Sequence, residues 1–257
     1  MDIDIKDKRV VVTAGAHGIG LAIADTFSRA GAQVHVCDVN DAFLAEATQR
    51  LPGVTQSRTD VADQEQVGAM FDTLEKRWGA LDVLINNAGI AGPTAKIEET
   101  PIDEWAQTIA VNLTGTFLCA RRAVPLIKAA GGGSIVNLSS AAGRLGFPLR
   151  SPYSASKFGI IGLTQTWAME LGPSGIRVNA ILPGIVEGPR MDKVIRDRAA
   201  QLGIAHDEMQ RRYLERVSLR RMVSPHDVAA MVVFLLSPMG ENLSGQSLGV
   251  DGNVETL

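Results

Sequence analysis

Cysteine is scarce in this sequence. Cys37 and Cys119 are the only two in 257 residues, too few for a disulfide-built scaffold. Both lie in apolar segments that read as a buried strand and a helix, so they are expected to be small core side chains with no chemical role. Histidine is limited to His17, His35, His206 and His226, which are scattered and stand at no metal-ligand spacing to either cysteine. No metal is expected. An excess of one charge is missing as well. The 25 Lys and Arg against 28 Asp and Glu leave a net charge of -3, which makes no general basic field, so nucleic-acid binding is not expected. Any anion has to be met by a local site. No apolar run approaches the roughly 18 to 20 residues of a membrane span, because glycine, proline or charge punctuates each one. The start, MDIDIKDKRVVVT, has neither the basic leader nor the long apolar stretch of a secretion signal. A soluble, cytoplasmic protein that engages no membrane is expected.

What is present is material for a core. Hydrophobic residues make up 46% and charged ones 21%, at a length that α/β proteins use as one domain. Runs rich in Val and Ile, namely RVVVT, QVHVCD, VLINNAG, SIVNLSS and RVNAILPG, recur between segments of helical period. The helical segments are 21–30, 41–51, 64–78, 102–129, 154–171 and 227–235. This alternation predicts an α/β fold, a parallel sheet covered by helices, in a single domain over 1–257. Ser224-Pro225 offers a helix cap followed by proline in the first turn, and Gly31 and Gly172 follow the ends of helical segments. The GGG at 131–133 reads as a turn, and no linker, repeat or low-complexity block is found. The stretch 189–221 breaks the alternation. It is charged, expected to be helical, and inserted after the strand ending in Pro183-Gly184, where α/β proteins cover their substrates.

After the first strand comes TAGAHGIG, leading into a helix that begins near Ile19. Glycines at 15, 18 and 20 allow a sharp turn, bring backbone close to a pyrophosphate, and aim amides and the helix dipole at that anion. Gly15, His17, Gly18, Ile19 and Gly20 are therefore expected cofactor contacts. A glycine turn can also be purely geometric. The second strand adds to the dinucleotide reading by ending at Asp38, roughly 20 residues on, where a carboxylate can accept from an adenosine ribose. The same carboxylate repels a 2′-phosphate, and Val39 supplies no cation to offset it. NAD is the expected cofactor, with His17, neutral at pH 7 unless perturbed, as weak evidence to the contrary.

The strongest local signal is Tyr153-Ser-Ala-Ser-Lys157. At this spacing tyrosine and lysine share one helix face, and the ammonium favours ionisation of a phenol whose free pKa is about 10. A phenol so tuned can act as general acid for a carbonyl or general base for an alcohol. A solvent-facing Tyr-Lys pair is the plain alternative, but Ser139-Ser140 close the preceding strand, where a hydroxyl can polarise the substrate oxygen. Asn112, in AVNLTGTF, is a polar residue within an apolar helix and reads equally as a satisfied structural amide.

Taken in order, the TAGAHGIG turn, Asp38, Asp60-Val61, Asn86-Asn87-Ala88-Gly89, Asn112, Ser-Ser-Ala-Ala-Gly, Tyr153 and Lys157, Pro183-Gly184 and Val250-Asp251-Gly252 resemble the short-chain dehydrogenase/reductase family over essentially the whole chain. The resemblance implies a doubly wound, Rossmann-like sheet of roughly seven parallel strands with helices on both faces. It implies Ser140 rather than Ser139 as the catalytic serine, with Ser139 as the fallback. It also implies that Asn112 holds a water connecting Lys157 to solvent, and that Lys157 bonds the nicotinamide ribose beside Tyr153. Asp60 and Val61 would lie at the adenine, Asn87, Ala88 and Gly89 on the adenosine side, and Pro183, Gly184 and Val186 at the nicotinamide amide. Similar enzymes are homotetramers or dimers, with long helices and the C-terminal strand at the interfaces. Two positions depart from the pattern. Ala14 stands where the family usually has glycine, and Gly188 where a threonine often contacts the cofactor.

Arg144, Arg150 and Arg190 come from loops expected around the substrate, and a guanidinium suits a carboxylate, sulfonate or phosphate. This points to a small anionic hydroxy or oxo compound, set against the plain reading of surface ion pairs. The other arginines of the insertion, interleaved with acids, read as a solvated helix face. A sugar or polyol dehydrogenase and a 3-oxoacyl thioester reductase are the alternative enzymes, and a non-catalytic NAD-binding regulator is the alternative of another class.

Overall fold

The computed structural model describes residues 5–256. Seven strands form one sheet, all pairs parallel, in the order β3-β2-β1-β4-β5-β6-β7. They are β1 (Arg9–Thr13), β2 (Gln33–Asp38), β3 (Thr55–Arg58), β4 (Val83–Asn86), β5 (Gly133–Leu138), β6 (Ile176–Pro183) and β7 (Ser247–Val250). The strand order reverses between β1 and β4, which opens a crevice beyond their carboxyl ends.

The central strands are apolar along their length because both faces are covered. Val10 and Val12 of β1 enter one core and Val11 the other. The first core is closed by α1 (Gly18–Arg29), α2 (Asp41–Arg50) and α9 (Pro225–Leu236), the second by α3 (Gln64–Trp78), α5 (Gly115–Ala129) and α6 (Ser151–Leu171). Side-chain caps fix several starts. Asn40 accepts from the amides of Ala42 and Phe43, and Ser224 and Asp227 form a reciprocal capping box.

The expected single helix over 102–129 is instead broken. α4 (Ile102–Ile109) runs into a wide, π-type turn at Ala110–Thr114 before α5 begins. Such turns accommodate an extra residue and redirect a side chain, and Asn112 lies within this one. Strands β3 and β7 were not expected from periodicity. The VLINNAG strand stops at Asn86, since the Asn87 amide and side chain turn toward β1. The 189–221 insertion is helical in α7 (Pro189–Leu202) and α8 (His206–Leu214). Ile195, Ala199, Met209 and Tyr213 build a third small core there with Ile185, Val217 and Val254. Cys37 and Cys119 are free and buried, as expected, and no described group of residues could hold a metal ion. Among the described residues, no helix is long and apolar enough to cross a membrane.

Candidate active site

The glycine turn lies over the carboxyl end of β1. A Cβ on Gly20 would sit 2.2 Å from the Ala14 carbonyl oxygen, and one on Gly15 would sit 2.7 Å from Val36. Neither position admits a side chain, whereas Gly18 faces open space at φ 56°. Ala14 itself adopts φ 46°, a left-handed conformation that favours glycine. The departure at this position is thus absorbed as local backbone strain. His17 precedes α1 and stacks on Phe43 with ring centroids 4.4 Å apart. Asp38 is buried at the end of β2, and its Oδ1 accepts from the Asn40 amide at 3.1 Å.

Asn87 bridges the sheet at its point of reversal. Its side-chain nitrogen donates to the carbonyls of Thr13 and Ala14 at 3.0 Å each, while the amides of Asn87 and Ala88 donate to the Thr13 hydroxyl. Thr13 carried no sequence signal beyond its place at a strand end. Asp60 turns its carboxylate onto the Ala62 amide, and Val61 packs where a Cβ on Gly115 would clash at 2.8 Å. At the other side of the crevice, Gly184 approaches Asp251 too closely for a side chain, and Val186 pairs with Val223. Gly188 caps α7 at φ 133°, a backbone that disfavours threonine.

The two serines are separated by geometry. The buried Ser139 hydroxyl donates to the Lys157 carbonyl at 2.8 Å. The Ser140 hydroxyl accepts from the Ala142 amide at 3.2 Å and helps lower the pKa of the Tyr153 phenol. Tyr153 lies in the first turn of α6, which starts before the segment expected from periodicity. Burial alone would raise its pKa, but this is outweighed by Arg190, Lys157, the Ser140 hydrogen bond and Arg150, so the phenol is held below its ordinary value. Lys157 is buried, its Nζ donates to the Leu138 carbonyl at 2.8 Å, and burial pulls its pKa down to about 8.

Asn112 is fully buried and both donor hydrogens of its side chain are taken. Oδ1 accepts from the Ile90 amide at 2.7 Å, and Nδ2 donates to the Ile90 carbonyl and the Ser156 hydroxyl at 3.0 Å each. Its main-chain oxygen also accepts from Thr116. Gly89 lies against this group, since a Cβ there would be 3.3 Å from the Asn112 Oδ1 and 3.4 Å from the Lys157 Nζ.

Two of the three arginines flank Tyr153. The guanidinium carbons of Arg150 and Arg190 stand 5.7 and 5.8 Å from its ring centroid. Arg190 is exposed and reaches the Gly89 carbonyl at 3.4 Å. Arg150 is 6% exposed and donates from Nη1 to the Thr94 hydroxyl at 2.6 Å. Arg144 instead pairs with Asp251. Thr94 went unnoticed in the sequence because its partner is 56 positions away.

A close-packed glycine turn and a cation-flanked phenol at one end of a parallel sheet fit an oxidoreductase layout. The comparisons with known proteins agree. The family model described as enoyl-(acyl carrier protein) reductase matches residues 13–254. The chain is 33% identical over 256 residues to D-beta-hydroxybutyrate dehydrogenase of Rhizobium meliloti (95% of this chain, 97% of that one). It is 36% identical over 252 residues to cis-4-hydroxycyclohexanecarboxylate dehydrogenase of Sinomonas cyclohexanicum (96% of each). The fold matches NAD+-bound xylitol dehydrogenase with a TM-score of 0.92 at 28% identity, covering 97% of this chain and 100% of that one. It also matches a single-substitution variant of actinorhodin polyketide ketoreductase with NADPH at a TM-score of 0.93 and 32% identity, covering 98% of each. The chain belongs to the short-chain dehydrogenase/reductase family, and is an enzyme that interconverts alcohols and ketones.

Proposed function

We propose that the enzyme is an NAD-dependent dehydrogenase/reductase that interconverts a secondary alcohol and a ketone on a small anionic hydroxy or oxo compound, with Tyr153 as general acid and base. The environment of Tyr153 carries this reading: a phenol surrounded by Lys157, Arg190 and Arg150 and influenced by the Ser140 hydroxyl, all of which favour its ionised form. Two relatives whose names specify hydroxy acids support the substrate class.

The crevice suits a dinucleotide. The approaches at Gly15 and Gly20 leave bare backbone at the start of α1, which is what a pyrophosphate requires. The buried Asp38 keeps Oδ2 free of any described hydrogen bond and would accept from a ribose diol while repelling a 2′-phosphate. His17 is held against Phe43, so it offers NADP little. When bound, the nicotinamide takes or returns the hydride. In the oxidative direction the Tyr153 phenolate removes the alcohol proton while the Ser140 hydroxyl holds the reacting oxygen. Lys157 stabilises the phenolate, and its own proton is labile near neutral pH because its pKa is about 8. Since both donor hydrogens of the Asn112 side chain are taken, a relay water at this residue would donate to one of its oxygens, the main-chain one lying beside the bond from Thr116.

The test is initial-rate formation of NADH, with NADP+ in parallel, over hydroxy acids, polyols and simple secondary alcohols. Tyr153→Phe should lower kcat by at least about 100-fold while leaving NAD+ affinity intact. Retained turnover would remove the phenol from the mechanism, and NAD+ binding without turnover of any alcohol would favour a regulator. Helices α7 and α8, adjoining this end of the sheet, are read as the substrate cover. The exposed Phe117 of α5 and Phe158 of α6 support a homo-oligomer, dimer or tetramer, joined through these long helices.

A further inference from the structure

Arg150 is the one guanidinium near Tyr153 that is sealed from solvent, at 6% exposure. Burying a charge without a counter-charge is costly, so buried arginines are normally paired. Every ion pair among the described residues is made by another cation. The carboxylate that does bear on Arg150, Asp197, is held by Lys193 at 2.7 Å. Of the five donor hydrogens of a guanidinium, one hydrogen bond accounts for Nη1, to Thr94. Nε is buried without any partner and Nη2 makes no described hydrogen bond.

The side chain is nevertheless fixed. Phe147 lies 5.6 Å and Tyr153 5.7 Å from its guanidinium carbon, so rings flank it. The Ala95 amide donates to the Leu149 carbonyl at 3.0 Å, which ties the 94–96 segment to the arginine's own loop. Leu149, just before it, is held at φ 67°, a strained conformation for a branched residue and the kind of backbone outlier that gathers at ligand sites. A strained, buried, immobilised cation with an empty donor edge costs stability that its protein contacts do not return.

We propose that the outer, Nη2 edge of Arg150 is a carboxylate site, and that the substrate is a small monocarboxylate bearing its alcohol or ketone close to that group. This rests on reading Tyr153 as the acid–base group. Nη2 offers charge-assisted donors to a carboxylate oxygen, while Nε is closed off by its surroundings. A single guanidinium with aromatic neighbours and Nη1 already occupied matches one negative charge better than the two of a phosphate monoester. With the guanidinium carbon 5.7 Å from the Tyr153 ring centroid, one compact molecule can present its carboxylate to Arg150 and its reacting oxygen to the phenol. Thr94 is then a positioning residue, holding the far nitrogen so that the edge stays aimed.

The experiment compares wild type, Arg150→Met and Arg150→Lys, each as the full chain. Binding of butyrate and butyramide to the NAD+-loaded protein is measured by calorimetry, and kcat/KM is measured for 3-hydroxybutyrate and its amide. Wild type should prefer the acid by on the order of 100-fold, mostly in KM. Arg150→Met should collapse that ratio to near one, Arg150→Lys should fall between, and NAD+ affinity reports an intact fold in both. If Arg150→Met does not fold, Arg150→Lys and wild-type butyrate binding decide the matter. An acid-to-amide ratio unchanged in the variants, or wild type that binds no butyrate, overturns the proposal. Arg150-dependent butyrate binding without oxidation of any alcohol would leave the carboxylate site standing and refute the dehydrogenase reading.

Discussion

Lys157 is buried at a cost, and removing it should stabilise the protein while destroying its activity. The folded chain releases the Lys157 proton near pH 8, whereas the ordinary lysine value is 10.5. Between those values the unfolded state binds more protons than the folded one, so stability rises with pH. The penalty is fully present below about pH 8 and vanishes above the unfolded value, and its size is about 3 kcal/mol. Lys157→Met removes it but leaves the Leu138 carbonyl without its ammonium donor, a loss of about 1–3 kcal/mol. The balance at pH 7 is a gain of up to about 2 kcal/mol. The difference in pH dependence is the cleaner readout. Urea unfolding of the dinucleotide-free protein at a fixed protein concentration, from pH 7 to 10.5, should show wild type gaining about 3 kcal/mol relative to Lys157→Met. Cys37, raised to about 12 by burial, titrates in both proteins and drops out of the comparison. Parallel stability curves would refute the argument, because they would mean that Lys157 keeps an ordinary pKa in the folded state.

Ser140→Ala should lower kcat by about 10–1,000-fold, whereas Ser139→Ala should lower melting temperature more than kcat because its hydroxyl is bonded to the Lys157 carbonyl; the reverse pattern would exchange the serines' roles. Arg190→Gln should move the basic-form limb of the pH–rate profile upward, since Arg190 helps hold the Tyr153 phenol down, and an unmoved limb would show that the exposed guanidinium is screened. Asp38→Ser should raise kcat/KM for NADP+ relative to NAD+ by removing the carboxylate at the ribose, and an unchanged ratio would place cofactor choice elsewhere.

The central strands and most helices could be read because double-sided burial leaves unbroken apolar runs and helical spacing in the sequence. Edge strands carry no such mark. In β3, TQSR alternates between half-buried and exposed positions, and β7 is likewise half-covered, so both depend on a neighbour strand for their definition. The turn around Asn112 was hidden for a related reason. The break in the helix accompanies bonds from Asn112 to Ile90 and Ser156, which lie far away in sequence. Tyr153 and Lys157 were legible because one helix carries both. The isolation of Arg150 was not, because it depends on Thr94, on Phe147 and on an Asp197 already taken by Lys193.

The bridge made by Asn87 bears on how quickly the crevice can be used. Where strand order reverses, the ladder between β1 and β4 ends at Val12 and Ile85, and the turns beyond it need their own tie. Here a single amide side chain and the Thr13 hydroxyl tie them together. The width of the opening is thereby set during folding, and an arriving molecule has little loop entropy to remove. Capture should then resemble filling a rigid slot, with association governed by diffusion and orientation and without a slow closing step at this end.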